Sequence, residues 1–135
     1  MKRTTILASM LLCGMASQIH AQSPCSNADL HGLYSFVASG TLGGAAFATA
    51  GQTLYDGNGH VTGLIQISLN GSITPLISWT GTYSVNPANC TTTKTADIPG
   101  VGTVHFFITS GASFNELRFI ATDTGSVITG TARKQ

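Results

Sequence analysis

Tyr55-Asp56-Gly57-Asn58-Gly59-His60-Val61-Thr62-Gly63-Leu64-Ile65-Gln66-Ile67-Ser68-Leu69-Asn70-Gly71 holds one complete strand between two turns, and its reading decides the fold. In Asp56-Gly57-Asn58-Gly59 positive φ costs glycine nothing and asparagine little, so the chain can reverse there. Residues 61–69 then alternate. Val61, Gly63, Ile65, Ile67 and Leu69 fall on one face, and Thr62, Leu64, Gln66 and Ser68 on the other. Asn70-Gly71 is the strongest short hairpin signal in the chain. A side-chain period of two bounded by hairpin turns is antiparallel β structure.

The same pattern continues in both directions. Before this stretch, strands are predicted at 33–39 and 47–55, with a loop at 40–44. After it comes 73–85, interrupted by Pro75, which marks a strand start, an edge or a bulge. A loop at Asn86-Pro87-Ala88-Asn89 precedes a weaker strand at 91–96 and a Pro99-Gly100 turn. Strands at 103–109, 116–122 and 126–132 complete the chain, and no segment past residue 21 shows a 3.6-residue apolar period. About eight strands joined by short turns predict an all-β, antiparallel up-and-down barrel, which removes exposed edges by closing. A β-sandwich is the runner-up, since the same alternation serves two packed sheets. Eight strands leave an interior just filled by side chains or just able to hold one small ligand.

Residues 1–21 read as a secretory signal: Lys2 and Arg3, an apolar run from Ile6 to about Met15, and a small residue, Ala21, at the expected cleavage point. Neither Cys13, after Leu12, nor Cys25, after Pro24, has the small residue before it that a lipid-anchor signal wants. Cleavage leaves one domain at 22–135 with Cys25 and Cys90 as its two cysteines. In an oxidising compartment such a pair is expected to form a disulfide. The expected destination is the periplasm or the extracellular medium, with no membrane-spanning segment.

Lys2 and Arg3 also supply the formal net charge of +1; residues 22–135 carry Lys94, Arg118, Arg133 and Lys134 against five acidic side chains. A surface so near neutrality, with no basic stripe, argues against nucleic acid and against an anionic membrane face.

Four stretches carry a family resemblance. They are 26–36 (Ser26-Asn27-Ala28-Asp29-Leu30-His31-Gly32-Leu33-Tyr34-Ser35-Phe36), 55–63, Gly81-Thr82-Tyr83-Ser84-Val85-Asn86-Pro87, and 122–132. Together they resemble small exported bacterial proteins grouped with the allene oxide cyclase-like barrels. The resemblance implies an eight-stranded barrel with a cavity, related in shape to plant allene oxide cyclases and dirigent proteins. Those relatives steer reactive hydrophobic molecules by cavity shape plus one or two polar groups. No active-site motif of theirs falls on this sequence, so the resemblance brings a fold and no catalytic residue.

The residues themselves offer few candidates for chemistry. Glu116 and Arg118 are two apart and share a strand face; turned inward they would form an ion pair able to polarise a ligand carbonyl. Turned outward they are a surface pair worth at most about 1 kcal/mol, and Leu117 and Phe119 on the opposite face favour that reading. His105, on a face with Phe107 and Thr109, is a candidate general base or simply an exposed histidine. No His-x-His or His-x-x-His spacing suggests zinc, and Asp56-Gly57-Asn58-Gly59-His60 lacks the later bidentate Glu of a calcium loop, with Ile67 in its place. No metal and no cofactor is expected. Tyr34 and Trp79 are the aromatic residues expected to meet a ligand if the barrel is hollow. The expected function is binding of a small apolar molecule or service as an envelope interaction module. The alternatives are a cyclase or isomerase acting through cavity shape, and a structural or adhesive envelope protein. The sequence sets no oligomeric state.

Overall fold

A computed structural model describes residues 24–111 and 113–135 of the chain. The leader read at 1–21, its cleavage after Ala21, and Cys13 lie outside the described residues. A 3-10 turn at Asn27–Asp29 precedes nine strands: β1 (His31–Leu42), β2 (Ala45–Asp56), β3 (His60–Leu69), β4 (Ser72–Ile73), β5 (Ile77–Val85), β6 (Thr92–Ile98), β7 (Gly102–Ser110), β8 (Glu116–Ala121) and β9 (Ser126–Lys134). They form one antiparallel sheet in the order β2-β1-β9-β8-β7-β6-β5-β3-β4, and β2 also pairs with β3. Eight strands therefore close into an up-and-down barrel, and two-residue β4 is a spur on β3. The sandwich is not formed. Among the described residues no helix is long and apolar enough to cross a membrane.

The turns behave as their residues require. Asn70 and Gly71 both take positive φ, +49° and +85°, as a two-residue hairpin with the favoured twist demands. Asn70 is also tied to β2: its side-chain oxygen accepts the Ala46 N–H at 2.9 Å, and its own N–H donates to the Ala46 carbonyl at 2.8 Å. At the other turn, Asp56 Oδ1 accepts the N–H groups of Asn58 (2.7 Å) and His60 (3.0 Å). The first of these bonds is the main reason the Asp56 carboxyl is held below the usual range.

Several features of the strands differ from expectation. The loop expected at 40–44 is only a Gly43-Gly44 turn, because β1 runs on to Leu42. Gly40 stays in the ladder between Phe47 and Ile128, and a Cβ there would lie 1.7 Å from the Val127 carbonyl oxygen. Close approach of β1 and β9, not a turn, selects that glycine. The run at 73–85 breaks around Pro75 into β4 and β5, since proline cannot donate to the ladder. Leu69, on the core side by alternation, is exposed at the strand end where it pairs with Ser72 of the spur.

One end of the barrel is packed solid. Tyr34, Tyr55 and Tyr83 stack edge-on in a row, with ring centroids 5.3 and 5.0 Å apart. Leu30, with no exposed surface, is held there because the Tyr83 hydroxyl donates to its carbonyl at 2.8 Å. Asn27 caps β5 by accepting the Val85 N–H at 2.8 Å. The Cys25–Cys90 disulfide, with Cα atoms 5.4 Å apart and a sequence separation of 65, fastens this N-terminal segment across the barrel end. Phe114, at φ +54°, is a bulky residue in the left-handed region; its side chain is buried and its carbonyl accepts the Tyr34 hydroxyl at 2.6 Å.

Candidate functional site

The opposite half of the interior is not filled. A cavity of about 40 Å³ lies among Leu42, Phe47, Ile67, Ile98, Val104 and Ile128, near the barrel end formed by the β1–β2 and β6–β7 turns. One water needs roughly 10–15 Å³ on this measure, so the chamber has room for about three waters or a ligand of that size. Its wall is almost wholly apolar. Thr49 contributes a hydroxyl, which donates to the Gln66 carbonyl at 2.8 Å.

The exception is Lys94, which lines the chamber and is 8% exposed. Along β6, Thr92, Lys94, Ala96 and Ile98 point inward and are buried, while Thr93 and Asp97 point to solvent. The ammonium lies over three rings, with Nζ 4.7 Å from the centroid of Phe106, 5.2 Å from Trp79 and 5.5 Å from Phe119. Each ring attracts a cation by its quadrupole. Two of the rings are seated by glycines directly across the ladder: Trp79 faces Gly63, and Phe119 faces Gly130. A Cβ on Gly63 would come within 2.6 Å of the indole, and one on Gly130 within 2.3 Å of the Phe119 ring. Missing side chains on β3 and β9 thus leave the slots in which the rings lie.

Among the described residues Lys94 has neither an ion pair nor a hydrogen-bond acceptor. The acidic side chains of the chain all stand away from it: Asp29, Asp56, Asp97 and Glu116 are exposed and Asp123 is half-buried in the β8–β9 turn. Burial therefore pushes the ammonium pKa down from 10.5 to about 8. Near neutral pH the amine is still mostly protonated, a buried cation facing an apolar space. Trp79 Nε1, on one of the rings beneath it, is likewise buried without an acceptor.

The chain matches no protein-family model, no curated protein and no solved structure.

The residues singled out in the sequence are distributed over both sides of the wall. Trp79 lines the chamber, whereas Tyr34 is in the packed half, bonded to Phe114. Glu116 and Arg118 are exposed on the outer face of β8, with Leu117 and Phe119 buried opposite; neither charge joins an ion pair among the described residues. His105 is exposed on β7, with Nδ1 2.7 Å from Asp123 Oδ1 and its N–H donating to Asp123 Oδ2 at 2.7 Å. Burial opposes ionisation of Asp123, but the two His105 contacts outweigh it and hold the carboxyl below its usual range. The pair clasps the β8–β9 turn onto β7, and it does not meet Glu116 or Arg118 at a common site.

Lys94 is the residue that sequence reasoning passes over. Its signal is positional: it stands two residues before Ala96 and four before Ile98, on the apolar face of its strand.

Proposed function

We propose that this protein is an exported β-barrel that holds one small, largely apolar molecule in the open half of its interior. The observation that carries the reading is the chamber itself, an apolar space left unfilled beside a half packed to closure. Ligand sites are typically apolar concavities with a few placed polar groups. The Cys25–Cys90 bridge is compatible with the export that the first 21 residues predict. Kinship with the allene oxide cyclase-like barrels is part of the same proposal. A cyclase or isomerase would find here one amine and little else that could move a proton, so binding is the better-supported reading. An adhesive role would use the exposed Val37, Phe107 and Ile120 of the outer wall, and gives no reason for a buried, unpaired lysine.

Trp79 is the single tryptophan of the chain and lines the chamber, so its fluorescence reports occupancy. Titration with ethanol and propan-1-ol is expected to change Trp79 emission saturably. A flat response up to the onset of unfolding would overturn the proposal.

A further inference from the structure

We propose that the molecule held in the chamber is a compact apolar carboxylic acid, bound as its carboxylate with Lys94 as the anchoring cation. The inference rests on the binding role above and names the ligand's head group.

Charge balance comes first. Lys94 Nζ is enclosed by Trp79, Phe106 and Phe119, and none of the protein's carboxylates faces it. A buried ion without a partner is unfavourable, and aromatic faces offset only part of that cost. An anionic ligand supplies the missing partner. Hydrogen-bonding capacity points the same way. The ammonium has three N–H donors, the indole Nε1–H is a donor with no acceptor, and the Thr49 hydroxyl already donates to Gln66. The chamber's walls thus hold two unmatched donors, and a carboxylate brings two acceptor oxygens and no donor.

Competing head groups fit less well. A phosphate or sulfonate would bury more acceptor oxygens than one amine and one indole can serve. An aldehyde would have to condense with the neutral amine and lose water, and no buried acid stands in the chamber to assist. The groups facing Lys94 are Tyr83 on β5, Phe106 on β7 and Phe119 on β8; of these only the Tyr83 phenol titrates, and burial raises its pKa. The amine is therefore the only group there that changes charge below pH 10. The cavity of about 40 Å³ restricts the tail to a chain of one or two carbons.

The test uses the whole mature protein and Trp79 emission, with acetate, propionate and butyrate each set beside its alcohol. The expected result is that the best carboxylate binds about tenfold or more tightly than its alcohol, the gain of a charge-assisted hydrogen bond. Its affinity should fall as pH is raised beyond about 8, while that of the alcohol stays level. Lys94→Met should bind the alcohol and lose the preference for the acid. Equal binding of acid and alcohol by the unaltered protein would overturn the carboxylate and leave the apolar chamber standing. Binding of neither would overturn both. Borohydride trapping of propanal on Lys94, with no preference for propionate, would replace the carboxylate by a carbonyl.

Discussion

The two ends of the barrel are built from the same eight strands and finished in opposite ways. At one, Tyr34, Tyr55 and Tyr83 fill the bore, Leu30 closes it, and a disulfide holds the closing segment in place. Two of the tyrosine hydroxyls there are matched: that of Tyr34 reaches Phe114 and that of Tyr83 reaches Leu30. At the other, apolar side chains stop short of one another; among the described residues the Trp79 N–H has no acceptor and Lys94 no ion pair. The packed, bridged contacts and the unpaired cation are thereby separated along the axis. One end lowers the free energy of the fold; the other keeps a cation in a place where the fold alone would not choose it.

The largest expected effect belongs to the closed end. Replacing both Cys25 and Cys90 by serine should cost about 4 kcal/mol, the chain-entropy value for a loop of this length, measured by denaturant unfolding. Loss of well under 1 kcal/mol would mean that Leu30 and the tyrosines hold the plug without the bridge.

Next comes Lys94→Met, which should stabilise the protein at pH 7. The depression of the ammonium pKa from 10.5 to about 8 corresponds to on the order of 3 kcal/mol. Below pH 8 both folded and unfolded chains carry the proton, and the folded one keeps it at a cost. Between about 8 and 10.5 the unfolded chain binds more protons, so unliganded wild-type protein should gain stability as pH rises. Above pH 10 the trend reverses. Burial raises the phenol pKa of Tyr55 and Tyr83, and that of Tyr34 to about 12, so the unfolded phenols ionise first. Thermal unfolding across pH 7–11 should show the rise and the fall in wild type, and only the fall in Lys94→Met. A rise that persists in the variant would show that another group causes it.

A smaller effect is expected from Tyr34→Phe, which removes the bond to Phe114 while keeping the ring: about 1–3 kcal/mol, the cost of leaving a buried carbonyl without its donor. Urea unfolding checks it, and a neutral result would show that the Phe114 backbone is held by packing alone. Smallest of all, Glu116→Gln and Arg118→Gln on the outer wall should each stay within about 0.5 kcal/mol of wild type and leave Trp79 titrations unchanged.

The barrel was legible in the sequence because its signals are local. Asn70-Gly71, Asp56-Gly57-Asn58-Gly59 and the alternation over 61–69 each act over a few residues, and so does the opposition of Glu116 and Arg118 to Leu117 and Phe119. Gly40 misled because a glycine in a close strand crossing looks the same as one in a turn; only the Val127 carbonyl across the ladder tells them apart. The chamber was hidden for a related reason. With its strand ended at residue 96, Lys94 shares a face with Thr92 and Ala96 only, and nothing marks it as inward. The observed β6 runs to Ile98, which adds the apolar residue that fixes the phase. Nor can sequence spacing reveal that Trp79 falls opposite Gly63 and Phe119 opposite Gly130, since those pairings depend on the register of separate strands.

The central claim is that Lys94 is a buried, unpaired cation in the hollow half of the barrel. The most direct test is an NMR titration of the Lys94 side chain in the unliganded protein, with the ¹³Cε shift followed from pH 6 to 11. A midpoint near 8 is expected, well below the ordinary 10.5 of a lysine ammonium. A midpoint at 10.5 or above would contradict it, because the amine would then be solvated or already paired.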